Sequence, residues 1–241
     1  MSLFKLLFIS TSQSRFGPQN TPTGMWLEEF ASPYFVFMDA GANISLASPK
    51  GGSVPLDPKS QSIIVSNSTT KRFYKDPIAM KQLSRSFLLE DMNAEEFDAV
   101  LLTGGHGAMI DLYNSEPLKK LLEAFNQSNK PIGAVSQGVA GLLNLQNPGG
   151  DQLVSQRNIT ACSNSEEVSS GQSSLLPFLI ETALTSAGAH YSKGRNFESH
   201  VMTDINLVTG QNASSSREVA MRIKALIQEK PISTVHSFSK S

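Results

Sequence analysis

The sequence predicts an α/β fold, a flavodoxin-like three-layer sandwich with a mostly parallel central sheet. Three observations carry this expectation. Apolar stretches of strand length alternate with segments of helical period, the pattern of a parallel sheet covered by helices on both faces. The buried-type strand Ala99 to Thr103 runs straight into Gly104-Gly105-His106-Gly107. The short apolar strand Ile132 to Val135 ends in Ser136-Gln137-Gly138, and a helix is predicted to begin at once through Val139, Ala140, Leu142 and Leu143.

In chain order, Leu3 to Ser10 reads as the first strand, Met25 to Ala40 as a helix and Asn43 to Ser48 as the next strand. Pro33 is expected to kink or restart that helix, because it lacks the amide donor and crowds the preceding turn. Residues 53–93 are polar, carry Pro55, Pro58 and Pro77, and hold a helical pattern around Ile78 to Phe87; they read as a small inserted cap rather than a separate domain. Glu116 to Asn129 has amphipathic helical spacing. Ser174 to Ser186 is predicted as helix, Val201 to Thr203 and Leu207 to Thr209 as two short strands around Asp204-Ile205-Asn206, and Ser215 to Gln228 as the closing helix. Residues 1–230 thus form one domain, and 231–241 a Ser-rich flexible tail.

The 20 Lys and Arg against 21 Asp and Glu give a net charge of −1, so no overall field draws the chain toward nucleic acid or an anionic membrane. The apolar run Leu3 to Ile9 is too short to span a bilayer. The single cysteine, Cys162, excludes an intrachain disulfide framework and a cysteine-based zinc site, and fits a reducing compartment such as the cytoplasm. No two histidines stand at ligand spacing with a carboxylate, so no metal site is expected.

In open parallel sheets the functional crevice lies beyond the carboxyl ends of the strands, where Gly104 to Gly107, Ser136-Gln137 and the segment before Glu29 should converge. A residue on a tight strand-to-helix turn is held with its side chain exposed, the geometry of a nucleophile elbow, and Ser136 occupies that position. The amides of Gly105 and Gln137 are candidate oxyanion donors, since the first amides of a helix lack intrahelical partners. Glycine beside a strand end is also common in any α/β turn.

Six segments occur together in order: Thr23-Gly24-Met25-Trp26-Leu27-Glu28-Glu29 with Pro33; Ala47-Ser48-Pro49-Lys50-Gly51-Gly52; Gly104 to Gly107; Gly133-Ala134-Val135-Ser136-Gln137-Gly138; Leu176-Pro177-Phe178-Leu179-Ile180-Glu181; and Leu207-Val208-Thr209-Gly210-Gln211-Asn212. In these the chain resembles the heat-shock-protein-31-like branch of the ThiJ/PfpI superfamily, over nearly everything from Lys5 to Ile227. The resemblance implies a cofactor-free protein whose relatives act as glyoxalase III, deglycase, amidase or peptidase, or as holding chaperones. It implies a small aldehyde, a peptide or another small molecule as ligand, and a homodimer.

Family catalysis, by that resemblance, rests on an elbow cysteine, a histidine directly after it and an acid from the first helix. The acid carries over to Glu29. The other two do not, because Ser136 and Gln137 stand in their places, and Val139 replaces the family's usual proline. A single cysteine-to-serine exchange would not account for Gln137 and Val139, so all three read as divergence. An alcohol is ionised far less than a thiol and needs a positioned base, which Gln137 cannot be. Glu29 is a weak base unless burial raises it.

His106 could reach the crevice as a substitute base, although a structural role is the more ordinary one. His200 could border the pocket or act as a cap or interface residue, and His190 and His236 read as surface residues. Glu28 and Glu29 lie about 100° apart on a helix, so only one faces the crevice and the other is expected in solvent. Cys162 reads as a buried, inert thiol and Trp26 as helix packing. The sequence therefore favours a catalytically degenerate member that acts by binding. The alternatives are a hydrolase using Ser136 as nucleophile and a residual glyoxalase acting through Glu29.

Overall fold

The computed structural model describes residues 4–229. Leu3, His236 and the tail 231–241 lie outside the described residues. The elements are β1 (Lys5–Ile9), β2 (Arg15–Phe16), β3 (Thr21–Pro22), α1 (Leu27–Met38), β4 (Asn43–Ser48), α2 (Ser68–Tyr74), α3 (Pro77–Leu83), β5 (Phe87–Leu88), β6 (Ala99–Leu102), α4 (Ala108–Asp111), α5 (Glu116–Gln127), β7 (Ile132–Val135), β8 (Asn158–Ile159), α6 (Asn164–Ser170), α7 (Ile180–Ser186), β9 (His190–Tyr191), β10 (Val201–Asp204), β11 (Leu207–Gly210) and α8 (Ser216–Glu229).

Seven strands form the central sheet in the order β10-β11-β7-β6-β1-β4-β5. Only the β10–β11 pair is antiparallel. The period-2 pleat divides β1 between two cores. Leu6 and Phe8 pack with Phe30, Tyr34 and Phe37 of α1 and with Val219 and Ile223 of α8. Leu7 and Ile9 pack on the other face with Leu118, Leu122 and Phe125 of α5. This is the mostly parallel, three-layer α/β arrangement the sequence predicts.

Local chemistry explains the helix ends. Ser115 Oγ accepts from the Leu118 amide at 3.3 Å, and Leu118, Leu121, Leu122 and Phe125 form the buried stripe of α5. At α6, Ser163 and Glu166 form a reciprocal capping box, and Gly171 closes the helix with φ 73°.

Several elements differ from expectation. Helix α1 runs through Pro33 without restarting, and the missing amide removes only the bond that the Glu29 carbonyl would accept. The helix expected from Ser174 is split: a short 3-10 turn covers Ser173–Leu175, Leu176 is extended, and α7 starts at Ile180. Pro177 disfavours helical geometry at the residue before it, which is Leu176. The pattern around Ile78 to Phe87 becomes α3 followed by β5, which adds Phe87 and Leu88 to the sheet edge opposite Ala47 and Ser48. After β7 the chain enters a 3-10 turn over Ser136–Leu142 rather than an α-helix.

Candidate functional site

Strands β6 and β7 are neighbours in the sheet, and both deliver their following residues to one crevice at its carboxyl end. Ser136 has φ 55°, a left-handed conformation unusual for a residue other than glycine, and it borders the crevice but is buried rather than exposed as expected, because its hydroxyl is held by Gln137. Two glycines make the crevice possible. A Cβ on Gly104 would collide with Glu29 Oε2 and come within 2.7 Å of the Val135 carbonyl oxygen. Gly105 has φ 99°, and a Cβ there would meet the Gly24 carbonyl oxygen.

Glu29 reaches in from α1, is 2% exposed, and accepts the Gly104 amide at 2.7 Å. Burial pushes its carboxyl well above the usual range, outweighing the lowering effects of the Gly104 amide and the Ser136 hydroxyl. Glu28 does not point into solvent as expected. It is half-buried, and burial raises its carboxyl against a hydrogen bond with Asn67.

The Ser136 hydroxyl donates to Gln137 Oε1 at 2.7 Å. The same oxygen accepts the Gly105 amide at 3.2 Å, so one of the two expected oxyanion donors is already engaged by the side chain beside it. Gln137 Nε2 then donates to Glu167 Oε1 at 2.8 Å. His106 Nε2 lies 2.9 Å from Glu167 Oε2, and because a carboxylate only accepts, that nitrogen carries the proton. The His106 ring rests 5.1 Å from the ring of Phe16.

Glu167 was not singled out in the sequence. Burial raises its carboxyl, but His106, Gln137 and Cys162 together more than offset this and hold it below the usual range. Glu29, by contrast, is pushed toward its neutral form. Its neighbour Glu166 is also buried, and it takes the Phe197 amide at 2.7 Å and Asn212 Nδ2 at 2.8 Å on one oxygen and Ser163 on the other. The signal for Glu166 was present as Ser163-Asn164-Ser165-Glu166, a capping box just beyond a strand, and Glu167 follows it directly.

These groups border a cavity of about 360 Å³. Cys162 lies in its wall; the thiol is pushed well up, first by burial and then by Glu167 and Glu166. Trp26 also borders the cavity, beyond the packing role expected of it. His200 is placed elsewhere, with Nε2 at 3.0 Å from Ser192 Oγ, and His190 is exposed in β9. A larger groove of about 440 Å³, beside Leu89, Met92, Pro117 and Leu121, contains none of these site residues. Among the described residues, no group of three or more His, Cys, Asp or Glu side chains is arranged to hold a metal ion, and no helix is long and apolar enough to cross a membrane.

Ser136, Gln137 and Glu167 form a line of hydroxyl, amide and carboxylate. A nucleophile triad has the same form with a base at the centre, oriented by the acid. Here the central group is an amide, which has no proton affinity at neutral pH.

Comparison with known proteins agrees with this architecture. The ThiJ/PfpI family-like profile matches residues 21–196. The chain is 30% identical to the bovine (Bos taurus) glutamine amidotransferase-like class 1 domain-containing protein 1 over 76% of this chain and 79% of that protein. Its structure superposes on the Rapid Encystment Protein 24 KDa of Francisella tularensis with a TM-score of 0.88 at 32% identity, covering 93% and 99% of the two chains. Glyoxalase III from Candida albicans superposes with a TM-score of 0.84 at 25% identity, covering 92% and 96%. The chain belongs to the ThiJ/PfpI family, and glyoxalase III is among its relatives.

Proposed function

We propose that this protein has left the thiol-dependent aldehyde chemistry of its glyoxalase relatives and acts by binding a small molecule in the crevice, in a stress-related, chaperone-like or sensing role. One observation carries the reading: Gln137 Oε1 accepts both the Ser136 hydroxyl and the Gly105 amide. The hydroxyl proton therefore points at a group that cannot remove it, and an amide needed for an oxyanion is spent on the ground state. Cys162 does not substitute for the missing thiolate, because its surroundings favour the thiol. Ile64 and Val65, from the segment read as a cap, border the crevice from outside.

The test is methylglyoxal-to-lactate turnover by the natural protein beside its Ser136→Cys/Gln137→His double variant. Turnover by the double variant alone supports a silenced scaffold. Turnover by the natural protein overturns it.

A second reading, a hydrolase using Ser136, is favoured by the left-handed backbone at that residue, since strain of this kind concentrates at functional sites. Labelling of the natural protein by a fluorophosphonate, abolished by Ser136→Ala, would establish it over the binding reading.

A further inference from the structure

Phe197 is the one aromatic residue with a left-handed backbone among the described residues, at φ 64°, and it is 58% exposed. A bulky side chain in this conformation is an outlier that the surroundings must hold in place. The holding group is identifiable: the Phe197 amide donates to buried Glu166 at 2.7 Å. The result is an aromatic ring kept at the border of the crevice, which Trp26, Ile64 and Val65 also line.

The polar interior has its own selectivity. The Gln172 side chain also borders the crevice; the residue is 8% exposed, and its amide group has no hydrogen-bond partner among the described residues. Open to the crevice and unengaged by the protein, this amide can pair with a bound polar head through both its carbonyl and its nitrogen. The Gln137 amide, at the start of its turn, offers a second donor. Among the bordering residues Lys59 is the single lysine or arginine, set against Asp57, Glu166 and Glu167, so an anionic head is disfavoured. Glu166 and Glu167 already hold internal donors on both oxygens, which weakens what they can return to a cationic head for its desolvation.

We propose that the crevice takes an uncharged molecule with an amide or carbonyl head and an aromatic or branched apolar body, and that Phe197 selects for that body. This rests on the binding reading above. Trp26 is the only tryptophan in the chain, so its emission reports directly on the crevice. The experiment titrates the natural protein with phenylacetamide, phenylacetate, phenethylamine and acetamide, following Trp26 emission and calorimetric heat, with product analysis of each mixture.

Saturable binding of phenylacetamide, at least about ten-fold tighter than the other three, is expected. Phe197→Ala should weaken it by about ten-fold, the upper end for one aromatic contact. Phe197→Gly should weaken it equally while raising the melting temperature, because glycine relieves the backbone; a purely structural Phe197 would change stability without changing affinity. Tighter binding of phenylacetate or phenethylamine, or no binding of phenylacetamide, overturns the proposal. Binding of phenylacetamide with Ser136-dependent conversion to phenylacetate and ammonia supports the ligand class while removing the view that the protein only binds.

Discussion

Replacing Gln137 by histidine tests whether a single side chain silences this site. The imidazole would occupy the position between Ser136 and Glu167, where Gln137 now accepts at 2.7 Å and donates at 2.8 Å. Glu167, already ionised and anchored by His106, would orient the new ring through one nitrogen and leave the other to take the Ser136 proton. The exchange also releases the Gly105 amide. A positioned general base contributes about 10²- to 10⁴-fold, and one oxyanion donor about 10²- to 10³-fold. Groups acting as a unit are not additive, so the smaller effect sets the floor at about 10²-fold, or roughly 2.7 kcal/mol of barrier. Hydrolysis of p-nitrophenyl acetate and fluorophosphonate labelling would both read it. The gain should vanish with Ser136→Ala and fall sharply with Glu167→Gln in the same background. An unchanged rate in a Gln137→His variant that melts at the natural temperature would refute the triad reasoning.

Three further outcomes are expected. Burial raises Glu29 in the folded state, so the unfolded chain loses this proton first, and stability falls as pH rises from about 4.5 toward the folded value, by at most about 1.4 kcal/mol per unit. Glu29→Gln keeps an acceptor for the Gly104 amide, and should flatten that decline in denaturant titrations and stabilise the protein at neutral pH. Gly105→Ala should destabilise by about 2–6 kcal/mol, combining strain of about 1–3 kcal/mol with overpacking of about 1–3 kcal/mol, and chemical denaturation would measure it. Cys162 should resist iodoacetamide at pH 7.5 in the native protein and react readily in urea, as mass spectrometry would show, because burial keeps it in the thiol form.

The layers and the position of Ser136 were legible because they depend on local pattern: apolar strand runs, a glycine-rich turn after β6, and a sharp turn where β7 stops, although that turn continues as 3-10 and not as the expected α-helix. The approach of Glu29 was readable only by resemblance, since helical spacing alone does not choose between Glu28 and Glu29. Glu167 escaped because its importance comes from four segments meeting in space: His106 from the glycine loop, Gln137 from the elbow, Cys162 beyond β8, and α6 itself. The sequence signal beside it, the Ser163–Glu166 capping box, speaks for a helix start and not for a site. The engagement of Gly105 by Gln137 was equally hidden, because a vacant backbone donor and one satisfied by a neighbouring side chain look alike in sequence. The split near Pro177 was legible in principle, from the proline's effect on Leu176.

The hydrogen bonds of the crevice run in one direction. Beside Glu29, whose neutral form burial favours, the Ser136 hydroxyl donates to the Gln137 carbonyl, and the Gln137 nitrogen donates to ionised Glu167. A hydroxyl both gives and accepts a proton, whereas an amide at neutral pH does neither. Gln137 therefore stands between two acids, one held neutral by burial and the other held ionised chiefly by His106, and it offers no group through which they could share a proton. With imidazole in its place the two acids would become one titrating system, and the protonation of each would depend on the other.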